Sequence, residues 1–163
     1  MTASPAVPGP RPGTIRVTCT SAQETRALGA RLGRSARPGD VFALSGELGA
    51  GKTCFIQGLA EGLGIEGQVQ SPTFVLVAEH RGRLPLYHVD LYRTASLAEV
   101  RGLGLEELIP GEWRDGVVAV EWAERAASLL PATTVWIRLE GAGGEARIVQ
   151  VTGLSPERAS VGG

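Results

Sequence analysis

The sequence predicts a single α/β domain with a mixed central sheet flanked by helices, and three observations carry that expectation. The chain has 163 residues, enough for one compact core and too few for a comfortable second one. Short apolar runs of strand character alternate with stretches of helical periodicity, without an internal repeat or a second-domain linker. A glycine-rich loop, residues 46–53, follows one such run and opens a helical stretch.

The elements follow in order. Residues 1–13 are rich in proline and glycine and lack periodicity, so they read as a flexible tail; residues 155–163 read as a second one, leaving 14–154 as the folded domain. Within 14–19, Ile15, Val17 and Cys19 share one face of a short strand. Ser21 and Glu24 stand at capping-box spacing before Leu28 and Leu32, which predicts a helix over about 22–35. A turn at Pro38, Gly39 and Asp40 leads to 41–44, an apolar run suited to a strand buried on both faces. From Lys52, apolar Phe55, Ile56, Leu59, Ala60 and Leu63 recur at helical spacing until Gly62 and Gly64 stop the helix. Residues 74–80 and 84–89 form a strand pair across Arg81, Gly82 and Arg83. Residues 96–109 give one or two short helices broken near 102–104, 117–120 a buried strand, 123–130 a helix, and 133–139 with 146–151 a closing hairpin.

Apolar residues make up 43% and charged residues 20%, the balance of a folded globular chain rather than a disordered one. The formal charge of −1 excludes a global positive field for nucleic acid or anionic membrane, so any RNA contact is local or shared with a partner. No apolar stretch reaches membrane-spanning length and no secretory signal is evident, which points to a cytoplasmic protein without a membrane role. Cys19 and Cys54 match no zinc or disulfide framework and are expected as buried thiols. Three details narrow the chemistry: Lys52 is the single lysine among 15 arginines, asparagine is absent, and the aspartates are Asp40, Asp90 and Asp115.

The loop Gly46-Glu47-Leu48-Gly49-Ala50-Gly51-Lys52-Thr53 matches the phosphate-binding pattern G-x-x-x-x-G-K-[ST] between the strand and helix that the pattern requires. Chance gives roughly 0.002 such matches in a chain of this composition. Glycines let backbone N–H groups turn toward a phosphate, the helix N-terminus adds positive potential, and Lys52 neutralises the terminal phosphates. The Thr53 hydroxyl is suited to Mg²⁺. Glu47, Leu48, Gly49, Ala50, Gly51, Lys52, Thr53 and Cys54 are therefore the nucleotide-binding candidates, in a P-loop NTPase fold. The only lysine stands where a compact point charge, rather than a planar fork, must reach phosphate.

Such a loop needs a second acid at the end of a buried strand to hold the metal and orient water. Asp90 and Glu121 both qualify, and both join Lys52 as catalytic candidates and Thr53 as metal candidates. His88 is either a proton relay or a structural histidine and is not nominated. Arg93 is either a charge stabiliser or one half of a surface ion pair. Ser71-Pro72-Thr73 suits either a switch that feels the terminal phosphate or a plain turn. A guanine-reading N-K-x-D motif requires an asparagine, so ATP is the expected nucleotide.

Together GELGAGKT (46–53), SPTF (71–74), HVDLYR (88–93) and VEWAER (120–125) resemble the TsaE/YjeE family, small bacterial P-loop ATPases of tRNA modification, over roughly residues 15–152. The resemblance implies ATP hydrolysis in concert with the TsaB and TsaD proteins, to place threonylcarbamoyl on the adenosine beside the anticodon of tRNAs, with tRNA met through the complex. It further implies phosphate binding by residues 49–53, magnesium ligation by Thr53 and Glu121, an essential nucleotide-site role for Asp90, and Thr73 as the switch threonine. Trp122 falls on the family's tryptophan beside the second acid, either near the nucleotide or in core packing, and Arg147 is a weaker correspondence. Cys54 departs from the family, which usually has a second threonine there. The alternatives are a P-loop small-molecule kinase, for which no arginine-bearing lid is evident, and a nucleotide-gated assembly module without essential hydrolysis.

Overall fold

In the computed structural model, which describes residues 14–47, 51–67, 77–155 and 158, the chain runs through β1 (Ile15–Cys19), α1 (Ala22–Ser35), β2 (Val41–Ser45), α2 (Lys52–Gly62), β3 (Val77–His80) and β4 (Leu86–Asp90). It continues through α3 (Leu97–Arg101), α4 (Leu105–Leu108), β5 (Val117–Glu121), a 3-10 helix (Ala123–Leu129), β6 (Val135–Gly141) and β7 (Arg147–Thr152). These strands form one mixed sheet in the order β1-β7-β6-β2-β5-β4-β3. The inner four are parallel, with β2 between β5 and β6, and antiparallel strands close both edges.

Alternation along the inner strands divides the core. On one side of the sheet Phe42, Leu44, Leu86, Val117 and Ala119 pack with Leu28, Leu32, Phe55, Ile56 and Leu59 of α1 and α2. On the other, Val41, Ala43, Tyr87, Val89, Val118 and Val120 meet Val100, Leu105, Ile109 and the 3-10 helix. Period-two counting from Leu86 and Val117 then puts His88, Asp90 and Glu121 on the α2 side.

Helices α1 and α2 meet backbone to backbone. A Cβ on Gly29 or Gly33 would overlap carbonyl oxygens of Phe55 or Leu59, and one on Gly58 or Gly62 those of Arg26 or Ala30. Ser21 caps α1 by accepting from Glu24 N at 3.2 Å, while the Glu24 carboxylate accepts from Thr20 N at 3.0 Å, so the expected capping box closes one residue early. The stretch 96–109 resolves into two helices, separated where Gly104 adopts φ +78°.

Three expectations need adjustment. The helix expected over 123–130 is a 3-10 segment in two short pieces that meet at Ala126, whose φ −124° and ψ 16° break the helical run, with Ala123, Ala126 and Leu129 buried. The fourth strand starts at Leu86 rather than 84, since Pro85 lacks the N–H a ladder needs. Cys19 is buried as expected, but Cys54 is only half-buried: Phe55 and Ile56 take the core face of α2, which leaves Cys54 on a groove shared with Arg26, Ala27 and Ala30. The expected phosphate-loop residues Leu48, Gly49 and Ala50, the SPTF turn with Thr73, and the first part of the strand over 74–80 lie outside the described residues. Arg158 forms a bidentate pair with Asp40, at 3.1 and 2.6 Å.

Candidate functional site: the carboxyl ends of three parallel strands

Strand β2 ends at Ser45, and the chain turns at Gly46 and exposed Glu47 toward α2. Gly51 is the residue before α2 and holds φ +96°, a left-handed conformation that favours glycine. No side chain caps the helix and no acid occupies its first turn, so its leading amides and dipole stay suited to an anion. Thr53 is exposed in that first turn, and Cys54 follows it. The side chain of Arg147 lies beside Gly51, where a Cβ would stand 3.5 Å from its Nε. Arg147 also donates from Nη1 to the carbonyls of Gly144 and Ala146, each at 2.7 Å.

Lys52 is the buried cation of the site, 5% exposed. Its ammonium donates to the carbonyl of Gly46 at 2.6 Å and lies 3.6 Å from the centroid of the Trp122 ring. Burial pulls its pKa down, while the carboxylates of Glu124, Glu121 and Asp90 act in the opposite sense.

The two candidate acids stand side by side, because β4 and β5 run parallel in a register that pairs Asp90 with Glu121. Leu44 of β2 pairs with Glu121 from the other side. Three adjacent strand ends thus bring the loop and both acids together at the carboxyl edge of the sheet. Burial raises the Asp90 pKa, opposed by a hydrogen bond its Oδ1 accepts from Tyr92 N at 3.0 Å; the neighbouring Glu121 pushes it up further. Glu121 is buried, and its Oε2 lies 2.7 Å from Nε2 of the equally buried His88.

Trp122 sits at the turn between β5 and the 3-10 helix with φ 57° and ψ 40°. Its half-buried ring faces Lys52 on one contact and Tyr92 on another, with ring centroids 5.1 Å apart and planes tilted by 38°. The ring thus contacts the phosphate-loop lysine and also packs against the core on the side of the sheet away from α1 and α2. The Arg125 guanidinium donates to the carbonyls of Leu91, Tyr92 and Thr94 at 3.1, 2.7 and 2.6 Å, tying the turn after Asp90 to the turn after Glu121. Arg93 is exposed on that first turn.

Sequence reasoning missed three contributors: Glu124, the acid with the largest effect on Lys52; Arg125, the tie between turns; and His88 as a partner of Glu121. The second acid of VEWAER was the available signal for Glu124. Nothing in spacing alone announces the other two.

A parallel-centred α/β sheet with a glycine-rich loop following its central strand β2, and acids ending the next two strands on one side, β5 and β4, defines the P-loop NTPase fold. A family model described as threonylcarbamoyl adenosine biosynthesis protein TsaE matches residues 19–149. The chain is 49% identical over 125 residues to the tRNA threonylcarbamoyladenosine biosynthesis protein TsaE of Treponema pallidum, covering 77% of this chain and 90% of that one. It is 44% identical over 133 residues to the protein of the same name from Bacillus subtilis, covering 81% of each chain. The crystal structure of Bacillus subtilis YdiB superposes with a TM-score of 0.71 at 34% identity, over 91% of this chain and 90% of that one. This chain belongs to the TsaE family.

Proposed function

We propose that this protein is the Mg²⁺-dependent ATPase component of tRNA threonylcarbamoyladenosine synthesis, acting in the cytoplasm with TsaB and TsaD proteins and meeting tRNA through that complex. The names of its relatives support the pathway. The observation that carries the chemistry is the convergence of Lys52, Asp90 and Glu121 at the carboxyl ends of adjacent parallel strands, beside an uncapped helix start. Among the described residues no helix is long and apolar enough to cross a membrane.

The residues present fit a nucleotide-borne magnesium ion. Thr53, Asp90 and Glu121 offer one hydroxyl and two carboxylates, the hard oxygen donors that magnesium takes. Among the described residues no cluster of three or more His, Cys, Asp or Glu side chains is arranged to hold a metal alone, so phosphate oxygens would complete the shell. When bound, the ion would neutralise charge developing on the terminal phosphates. For the protein's part, Lys52 supplies a fixed positive charge, the amides of the α2 start bind phosphate oxygens, and Asp90 and Glu121 hold the metal's ligands and orient water.

The decisive experiment is reconstitution of tRNA modification from TsaB, TsaD, tRNA and this chain with ATP. Modification should require the chain and be abolished by Lys52→Ala. Sustained modification with a non-hydrolysable analogue would favour a nucleotide-gated assembly module, and phosphorylation of a metabolite without tRNA or partners would favour a kinase.

A further inference from the structure

We propose that His88 is a positioning residue for Glu121: its imidazole fixes one carboxylate oxygen of that acid, so that the group meets the metal-nucleotide as a rigid ligand in a single orientation. The assignment rests on the magnesium-ATP reading above.

Both side chains are almost sealed from solvent, at 1% and 5% exposure, and their 2.7 Å separation is that of a strong charge-assisted hydrogen bond. An ionised Glu121 accepts only, and in that state Nε2 of His88 is the donor to its Oε2. No described protein group bonds to Nδ1 of the ring. The imidazole is therefore aimed at the acid rather than shared with the backbone.

The fold makes this contact possible through register. His88 pairs with Ala119 across β4 and β5, and Glu121 stands two positions further along the same face. Alanine's short side chain leaves the diagonal open, whereas a larger residue at 119 would fill it. Leu44 and Ala119, the cross-strand partners of Glu121 and His88, and Leu86, two positions before His88 on the same strand, are all fully buried apolar residues. A carboxylate in such surroundings is costly without a donor, so a histidine here serves the acid more directly than it serves packing. One strand therefore supplies both Asp90 and the group that orients the neighbouring acid. In metal sites, removal of a partner that orients a ligand typically costs about 10–100-fold in metal affinity or activity.

Two substitutions separate positioning from packing. In His88→Gln the amide nitrogen is as many bonds from Cβ as Nε2 of the imidazole and can still reach Glu121. In His88→Asn the amide nitrogen is one bond shorter and stands where Nδ1 was. With the full chain, Mg²⁺ is titrated against ATP binding by calorimetry, and turnover is followed in the assembly with TsaB, TsaD and tRNA. The expected result for His88→Asn is a fall of about 10–100-fold in apparent Mg²⁺ affinity or in kcat, with metal-free ATP binding and KM for ATP unchanged. His88→Gln should recover most of that loss, and His88→Asn should add nothing in a Glu121→Gln background. Equal loss of melting temperature in both variants, with no change in Mg²⁺ dependence or kcat, would overturn the proposal. A measurement on the unsubstituted chain guards against a variant that does not fold: the imidazole N–H resonance of His88 should shift when Mg²⁺ joins ATP, and an unmoved resonance at saturation counts against positioning. Failure of the unsubstituted chain to bind Mg²⁺ and ATP at all would instead overturn the nucleotide reading beneath it.

Discussion

The ammonium of Lys52 and the indole of Trp122 are in face contact, 3.6 Å from nitrogen to ring centroid. Trp122 reaches that position only through a left-handed backbone, the one positive φ outside glycine among the described residues. Such a conformation costs about 1–3 kcal/mol. A desolvated cation on an indole face returns roughly 2 kcal/mol, so contact and strain are of one size. The contact offsets the turn, and the turn holds Lys52 against Gly46 where the phosphate loop begins.

Lys52 is consequently expected to resist replacement by another cation. A guanidinium is too broad for a site closed by the Gly46 carbonyl and the Trp122 ring, so Lys52→Arg should fail much as Lys52→Ala does. Loss of its charge-assisted bonds should lower Mg²⁺-ATP affinity by about 10–100-fold, at 1.5–3 kcal/mol for a hydrogen bond to a charged group. Isothermal titration checks this, and an arginine variant with unchanged affinity would show that charge without shape suffices.

Asp90 gives a prediction whose sign follows from linkage. Burial holds its carboxyl above the ordinary value of 3.8, so between that value and the raised one the folded chain binds more protons than the unfolded chain. Stability therefore falls as pH rises through this window, and the penalty is fully present above it. Asp90→Asn removes the penalty and keeps an oxygen for Tyr92 N, so the variant should melt higher than the parent at neutral pH in EDTA while losing turnover. Its advantage should shrink on acidification toward the ordinary carboxylate range. A lower melting temperature at neutral pH would instead mark Asp90 as an anchor of the fold.

Much of this arrangement was legible in the primary structure because it is local. Ser21 with Glu24 marked the start of α1, the run at 41–44 marked the central strand, and the loop pattern marked the start of α2. The acids were found because each ends an apolar strand. What escaped depends on pairing between distant segments. The contact of His88 with Glu121 spans 33 positions and exists only through the β4–β5 register. The bonds of Arg125 go to backbone carbonyls, which every residue carries, so no side-chain pattern reports them. The 3-10 form of 123–129 and its break at Ala126 escaped as well, because Ala123, Ala126 and Leu129 share one face of an α-helix equally well.

Arg125 couples two turns, and its removal should be felt in both. Arg125→Ala deletes donors to Leu91, Tyr92 and Thr94 on a largely exposed side chain, an expected loss of about 1–3 kcal/mol in urea unfolding. Hydrogen exchange should accelerate at residues 91–94 while amides of β2 stay protected. Arg125→Lys should recover only part, because an ammonium lacks the planar fork. Unchanged exchange at 91–94 would show that the turn is set by Thr94, whose hydroxyl donates to Leu91 O at 2.7 Å, rather than by the arginine.

The position of α2, and with it of Lys52, depends on glycines that let two helix backbones touch. A methyl group at Gly58 would overlap the carbonyl of Arg26, a backbone atom that no side-chain rotation can clear. Overpacking of a tight contact costs typically about 1–3 kcal/mol, and this one is expected at or above the top of that range. The alanine preference of helices, which favours the substitution by roughly 1 kcal/mol, is too small to compensate. Gly141→Ala serves as the control, since the space around Gly141 is open and its φ is ordinary. Urea unfolding should find Gly58→Ala strongly destabilised and Gly141→Ala close to the parent. If Gly58→Ala keeps parental stability, the helices can separate without penalty, and their contact cannot be what fixes the phosphate loop relative to Asp90 and Glu121.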